Sequence, residues 1–398
     1  MTTAALRSTF ANIDQLMYRL RAAEALLGVS HTTLRNYTDE SGVAVRRASD
    51  FNSKAIPARL FEPSSIFSLA QWRRAQGYVK GPSSGPVVVT VNVVKGGTGK
   101  TTTAVETAVH LQLMGMRVLC VDLDVQSNLT QSMGYEADIT EREAADHGVN
   151  EEALVTATFA DVLLPYTAAA QRGGSARSQP SDIPGLIKKP FGEDGPHVIC
   201  SDTFLADIEM PLANSKGARE LIFRDLFAQA AAGDNPVLDT SPYDVIILDC
   251  PPNMSMTSTC AIAAADIVVA PVKMDAFAKK GLARLIHEIN SLGKTYGVKP
   301  TPLILPTHYS QNIPRISRMQ SELSNYAAVL SQQVISSSEE FPKSLEYYLP
   351  LTLQKPTSKG AVEYRLFAEI LKKKIFEVAD QRDKPSAKAT AAAASSVN

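Results

Sequence analysis

The chain has 398 residues, 44% of them hydrophobic and 20% charged, with a formal net charge of −1. That is enough for a large α/β core and one small domain, whereas no apolar run approaches the ~20 residues of a membrane span. The N-terminus lacks a signal-peptide core, and Cys120, Cys200, Cys250 and Cys260 have no C-x-x-C spacing, which argues against clustered iron–sulfur ligation and for reduced core thiols in a cytosolic protein. In chain order, the first expected element is a dimer or packing helix over Asn12–Leu20, where Ile13, Leu16, Met17 and Leu20 fall at helical spacing. The next stretch, Ala23–Tyr37, has the pattern of a helix-turn-helix. Gly28 permits the sharp turn, Ser30 is a natural N-cap, and Leu26, Val29 and Leu34 supply the shared apolar contacts.

Ser30, His31, Thr32, Thr33 and Arg35 then lie at the start of the second helix, the part that normally reads the major groove. The continuation through Arg46-Arg47 and Arg59–Phe61 to Phe67–Arg74 is similar to the MerR-type winged helix. That similarity implies that Arg46 and Arg47 hold the phosphate backbone from a wing. Residues 1–80 carry eleven basic and six acidic side chains, a net of +5 against −6 for the remainder. A basic module on an acidic body is the asymmetry expected of a part that meets DNA. A small helical domain used only for dimerisation remains the alternative.

Residues 81–86, Gly-Pro-Ser-Ser-Gly-Pro, form an expected linker. The apolar strand Val87–Val94 then leads into Lys95-Gly96-Gly97-Thr98-Gly99-Lys100-Thr101-Thr102 and a helix expected over Thr102–Met114. Three glycines in four positions allow a tight turn that aims N–H groups at phosphate oxygens. Lys100 is placed for the β- and γ-phosphates, and the Thr101 hydroxyl for Mg²⁺. Position 94 is Val where the common phosphate-loop pattern has Gly, and a second lysine, Lys95, opens the loop.

Two further strands, 117–122 and 243–249, end in Asp122 (followed by Asp124) and Asp249. In an open parallel α/β sheet, ligands sit at the carboxyl ends of the strands. Asp249 is placed to hold Mg²⁺ through its water shell, Asp124 to orient the attacking water, and Asp122 lies nearer the metal. Asp also terminates strands for structural reasons, so either segment alone leaves the choice open; joined to the glycine loop they do not. Residues 136–196 contain an expected exposed loop at Gln171–Ser181 and a short apolar piece, Phe159–Leu164. The face Val362, Leu366, Phe367, Ile370, Leu371, Ile375 marks a helix ending in Lys372–Lys374 and packed on the body. Residues 379–398 are expected to form a disordered tail.

Lys95–Thr101, Asp122-Leu-Asp124-Val-Gln126-Ser-Asn128 and Ile246-Ile-Leu-Asp249-Cys-Pro-Pro252 together resemble the deviant Walker ATPases of the ParA/MinD group, over roughly residues 86–378. Val125 stands where that family usually has Pro. The resemblance implies an α/β, mostly parallel P-loop NTPase domain at 87–378, carrying an N-terminal all-α winged helix-turn-helix domain. It implies ATP/ADP and Mg²⁺ as cofactors, with Gly96–Thr102 cradling the nucleotide. A sandwich homodimer follows, in which Lys95 reaches the partner's phosphates while Lys100 acts in cis and Asp124 is required for hydrolysis. A filament on DNA is left open as a further assembly.

The expected function is partition of plasmid or chromosome copies by a cytoplasmic, nucleoid-associated ATPase. In the ATP state it would bind nonspecific DNA, and a ParB-like centromere-binding partner would stimulate hydrolysis. The N-terminal domain would bind and repress its own operator. Lys355–Gly360, Arg315, Arg318, Lys343 and Arg365 are candidates for a sequence-neutral DNA surface, although Glu339 and Glu340 fall where relatives are often basic. The alternative is a transcriptional regulator in which nucleotide acts only as a switch; a membrane-positioning role is disfavoured by the tail and the helix-turn-helix.

Overall fold

The structure, a computed structural model, describes residues 13, 15–171, 183–274, 278–310 and 324–383. Its strands, in chain order, are β1 (Arg46–Arg47), β2 (Arg59–Leu60), β3 (Val87–Val91), β4 (Val118–Asp122), β5 (Ile187–Lys188), β6 (His197–Ile199), β7 (Val245–Asp249), β8 (Ile267–Lys273) and β9 (Thr301–Thr307). β1 and β2 make a small antiparallel ribbon, and the other seven form one sheet in the order β5-β6-β4-β7-β3-β8-β9. All its neighbours are parallel except β5 and β6.

Strands buried on both faces need apolar side chains at every position, which the Val/Ile/Leu runs provide. Successive side chains point to opposite faces. Val87, Val89, Val91, Cys120 and Ile247 join one core with Leu111, Phe367 and Leu371, while Val88, Leu119, Val121, Ile246 and Leu248 join the other with Phe159, Phe223 and Phe227. The apolar piece beginning at Phe159 is a helix, Phe159–Gln171, whose first ring lies edge-on to Phe223 at 5.1 Å and stacks on Phe227 at 5.8 Å. The four cysteines are buried free thiols, and no helix among the described residues is long and apolar enough to cross a membrane.

The N-terminal part differs from expectation in two ways. Residues 16–19 are not helical: the Tyr18 N–H donates to the Phe61 carbonyl (2.8 Å), the Phe61 N–H returns to Tyr18 (3.0 Å), and the Tyr18 hydroxyl reaches the Leu353 carbonyl (2.8 Å). This bridge holds Tyr18 extended, so the apolar spacing of Leu16, Met17 and Leu20 does not form a helix; Leu20 instead opens the next one, Leu20–Leu27. The β1–β2 ribbon also means that the N-terminal part is not purely α-helical.

Leu20–Leu27 ends at Gly28, whose φ of +62° suits glycine, and His31–Ser41 follows. A third helix, Pro63–Ala75, packs both onto the body, and Leu26, Leu34, Phe61, Ile66, Phe67 and Leu69 belong to the same apolar core as the β3 strand. The segment 81–86 is therefore a short strap along a docked module: the Ser84 hydroxyl donates to Ala379 O (3.2 Å) and Arg382 to Pro86 O (3.1 Å). The last described helix, Lys359–Asp383, passes beyond Lys374 and carries residues 379–383, which the sequence pattern placed in a tail. Ala379 is fully buried in the core, which explains the continuation. Residues 384–398, the loop after Gln171, Arg315 and Arg318 lie outside the described residues.

Candidate nucleotide site

Register builds the site. Val91 of β3 and Asp122 of β4 both pair with Asp249 of the intervening β7, so the loop after β3 and two acidic strand ends meet at one sheet edge. Gly97 and Gly99 have φ of +64° and +87°, conformations that favour glycine. A side-chain carbon built at Gly96, Gly97 or Gly99 meets no atom within 4 Å, so the space over the loop is open. Gly99 starts the helix Lys100–Leu113. Among the described residues no backbone carbonyl accepts from the N–H groups of residues 96–102, and the first N–H groups of a helix have no partner within it. From the other side, the Thr307 hydroxyl donates to Thr98 O (2.8 Å), tying the loop to the end of β9.

The charged groups divide the work. Lys100 is buried, and its Nζ donates to the Lys95 carbonyl across the loop (2.9 Å). Burial lowers its pKa, against the pull of Asp249 and Asp124. Asp249 is fully buried, and neither carboxyl oxygen has a hydrogen-bond partner among the described residues. Burial and then Asp122 push its pKa well up; the neighbouring Thr101 hydroxyl and Lys100 oppose this. An orphaned buried carboxylate is costly, and here it stands beside a hydroxyl, a lysine and a row of unused N–H groups.

Asp122 is a different case. Its Oδ1 accepts from Asp124 N (3.1 Å), and its Oδ2 from Thr130 N (2.9 Å) and the Thr130 hydroxyl (2.8 Å). Burial nevertheless pushes its carboxyl up to about 7. Both oxygens accept from the loop that runs from 123 to 130, whereas Asp249 has no such partners among the described residues. Asp124 sits in that shaped loop, its Oδ1 accepting from Gln126 N (3.1 Å).

An anion-accepting N–H row with Lys100, and Thr101 with the orphaned Asp249, suit a nucleotide polyphosphate and a hard divalent cation. Among the described residues no group of three or more His, Cys, Asp or Glu side chains could hold a metal by itself. Mg²⁺ takes one or two protein ligands and completes its shell with phosphates and water, and Thr101 and Asp249 could supply that pair.

A buried network behind the loop had no signature in the sequence. Glu106, on the helix that starts at Lys100, accepts from Leu351 N (2.6 Å), Thr352 N (3.1 Å) and the Thr352 hydroxyl (2.5 Å), and His110 contacts that hydroxyl (2.8 Å) and Ala361 O (3.0 Å). The only hint was Glu106 and His110 four apart, and so on one side of the helix. Burial pushes the Glu106 carboxyl up to about 7 despite the bonds from Thr352 and Leu351, and holds His110 down at about 3. Because the folded-state pKa of Glu106 is raised, its contribution favours folding fully below its ordinary value of 4.5 and is lost as pH climbs through about 7. From Glu106 alone, stability should therefore fall by ~3 kcal/mol as pH rises from about 4.5 to about 7; Asp122 acts in the same sense, and His110 in the opposite sense up to its ordinary 6.5. The stability of Glu106→Gln relative to the native chain in urea should rise between pH 5 and 8; a difference constant over that range would place the pH dependence elsewhere.

On the N-terminal module, Ser30 caps its helix by accepting from Thr33 N (3.2 Å), and its hydroxyl contacts that of Thr33 (2.8 Å). Two of the expected base-reading residues are thus engaged with each other. His31, Thr32 and Arg35 are exposed, with the His31 ring 4.0 Å from Glu24. Arg46 is ion-paired with Glu62 (2.6 Å) and lies 5.6 Å over the Phe51 ring, whereas Arg47 is exposed on the ribbon. Of the candidate sequence-neutral surface, Lys355 pairs with Glu340 (2.9 Å) and Lys359 with Glu363 (3.7 Å), so the acidic residues neutralise part of it.

The sheet order, the glycine loop leading into a helix and the acidic strand ends define a P-loop NTPase fold of the α/β class. Residues 87–300 match the AAA_31 family, described as an AAA domain, and the chain belongs to that family. It is similar to the chromosome-partitioning ATPase Soj of Thermus thermophilus, 26% identical over 285 residues that cover 71% of this chain and 94% of Soj. Among solved structures, cobyrinic acid a,c-diamide synthase of Mycobacterium smegmatis with bound ADP and magnesium superposes with a TM-score of 0.50 at 24% identity, covering 72% of this chain and 94% of that one. An ATP complex of a Cyanothece McdA variant does so with a TM-score of 0.53 at 20% identity, covering 72% and 97%.

Proposed function

We propose that this protein is a ParA-type partition ATPase that uses ATP and Mg²⁺ to switch its assembly and its hold on DNA. The observation that carries this reading is the orphaned Asp249 carboxylate facing Thr101 and Lys100 at the mouth of a loop that opens with a second lysine, Lys95. Similarity to Soj, and ADP, ATP and magnesium in the structural neighbours, support it.

In this account Gly96–Thr102 cradle the phosphates, Lys100 neutralises them in cis, and Lys95 reaches those of a second copy. Thr101 and Asp249 hold Mg²⁺, which when bound offsets the phosphate charge. Asp122 is a positioning residue that fixes the loop from which Asp124 orients the attacking water. A lysine contributed by a partner copy makes dimerisation sense the γ-phosphate, so ATP and ADP states differ in assembly. Hydrolysis, stimulated by a ParB-like centromere-binding partner, would release the dimer from nonspecific DNA.

The N-terminal helices and ribbon serve as a winged helix-turn-helix that binds the protein's own operator. His31, Thr32 and Arg35 meet bases and Arg47 meets phosphate, while Ser30 and Thr33 hold the reading helix in shape. Arg35→Ala should weaken binding to the upstream operator by about 1–3 kcal/mol and leave binding to random DNA nearly unchanged in a gel-shift titration. Equal losses on both DNAs would mean that this helix does not read sequence.

A further inference from the structure

Away from the nucleotide edge, a cleft of about 610 Å³ opens between the N-terminal helix pair and the body. That volume lies within the roughly 300–1,000 Å³ of small-molecule sites. Its walls come from the end of Leu20–Leu27, the helix Pro63–Ala75, the last turn of Lys100–Leu113 and one side of Lys359–Asp383. Leu26, Leu27, Leu113, Met114 and Phe376 give it an apolar lining.

Three cations from two of those helices converge on this lining. Arg73 donates through Nη1 to Leu27 O (3.0 Å), but its Nε is buried without a partner among the described residues. Arg365 likewise has a buried, unpartnered Nε, and its Nη1 lies 3.8 Å from where a side chain on Gly28 would begin. Lys372 donates to Met114 O (3.3 Å) and sits 5.9 Å over the Phe376 ring. Its pKa is lowered by burial and then by Arg73 and Arg74, with Glu369 opposing.

The local charge is not balanced from within. Arg74 is matched by Asp244, and Glu377 at the rim by Lys374 (3.1 Å). Glu369 and Asp380 also line the cleft, yet among the described residues no carboxylate comes within ion-pair distance of Arg73, Arg365 or Lys372. Half-desolvated cations without a counter-charge cost free energy that an incoming anion recovers through charge-assisted hydrogen bonds.

We infer that this cleft is a binding site for a small amphipathic anion, its apolar body lying on Leu113, Met114 and Phe376 and its carboxylate or phosphate head meeting Arg73, Arg365 and Lys372. The site is independent of the nucleotide edge and of DNA reading. An occupant would touch both the Gly28 turn and the body, so it would tie the N-terminal helices to the ATPase.

Titration calorimetry of the full chain with monomeric dodecanoate and dodecyl phosphate tests this, with dodecanol as the neutral control. Trp72, the one tryptophan of the chain, adjoins Arg73 in an aromatic group with Tyr37 and Tyr78, so its fluorescence gives a second readout. The expected result is one anion per chain, a shift in Trp72 emission and at least tenfold weaker binding of dodecanol. Arg365→Met and Lys372→Met should each raise Kd at least tenfold, and Lys294→Met, exposed on the helix Ala278–Tyr296 and away from the cleft, should leave it unchanged. If Arg365→Met fails to give a native circular dichroism spectrum, Lys372→Met carries the test. The preferred head, carboxylate or phosphate, follows from the two anions. No saturable binding, equal affinity for dodecanol, or equal Kd in Lys372→Met would overturn the inference.

Discussion

Lys100→Ala is expected to abolish nucleotide binding. Lys100 is the buried cation of the site and lies within the field of Asp249 and Asp124. Under the proposed assignment, removing it deletes the charge that would meet the phosphates and leaves the acidic strand ends to repel them. Losing a charge-assisted hydrogen bond costs about 1.5–3 kcal/mol, and the uncovered repulsion adds to that, so a loss of ~100-fold or more in Kd is expected. Fluorescent-nucleotide titration measures it directly. ATP-dependent dimerisation surviving in this variant would show that the phosphate assignment is wrong.

Asp124→Ala should separate binding from turnover. The carboxylate lies outside the N–H row proposed to cradle phosphate, so nucleotide affinity should stay within a few-fold of the native chain. Loss of a group that orients and activates water typically costs ~10²–10⁴ in rate. Asp124→Asn keeps an oxygen for the Gln126 N–H bond while removing the charge, so it isolates the chemical role from the loop's shape. Both variants should bind ATP and stall; unchanged ATP turnover in either would end the assignment of Asp124.

The nucleotide edge was legible in the sequence because each of its parts is local. Two β-branched strands end in Asp, and a third runs straight into a glycine loop with Lys and Thr at fixed offsets. Parallel register does the rest, setting Asp122 beside Asp249. What was not legible depends on partners far along the chain. Asp122 and Asp249 look alike as strand ends, but Thr130 satisfies one and leaves the other bare. Glu106 meets Thr352 across 246 positions, and Thr307 meets Thr98 across 209.

The same cause explains the error at the N-terminus. Helical spacing in Leu16, Met17 and Leu20 carries no information about Phe61, whose backbone claims Tyr18. A Gly-Pro-Ser segment reads as a flexible linker, yet here it runs along a shared core because Leu34, Phe67 and Leu69 bury their side chains against the body. Charge counting gave the first eighty residues a net of +5 but could not see that Glu62 holds Arg46.

The most direct test of the account is binding of the purified protein to its own upstream DNA and to random DNA, in ADP and in a non-hydrolysable ATP analogue. Partition by a nucleotide-switched dimer predicts selective upstream binding in ADP and indiscriminate, steeply salt-dependent binding in the analogue. Selective binding in both states, with no nonspecific mode under the analogue, would contradict it and leave a repressor for which nucleotide is only a ligand.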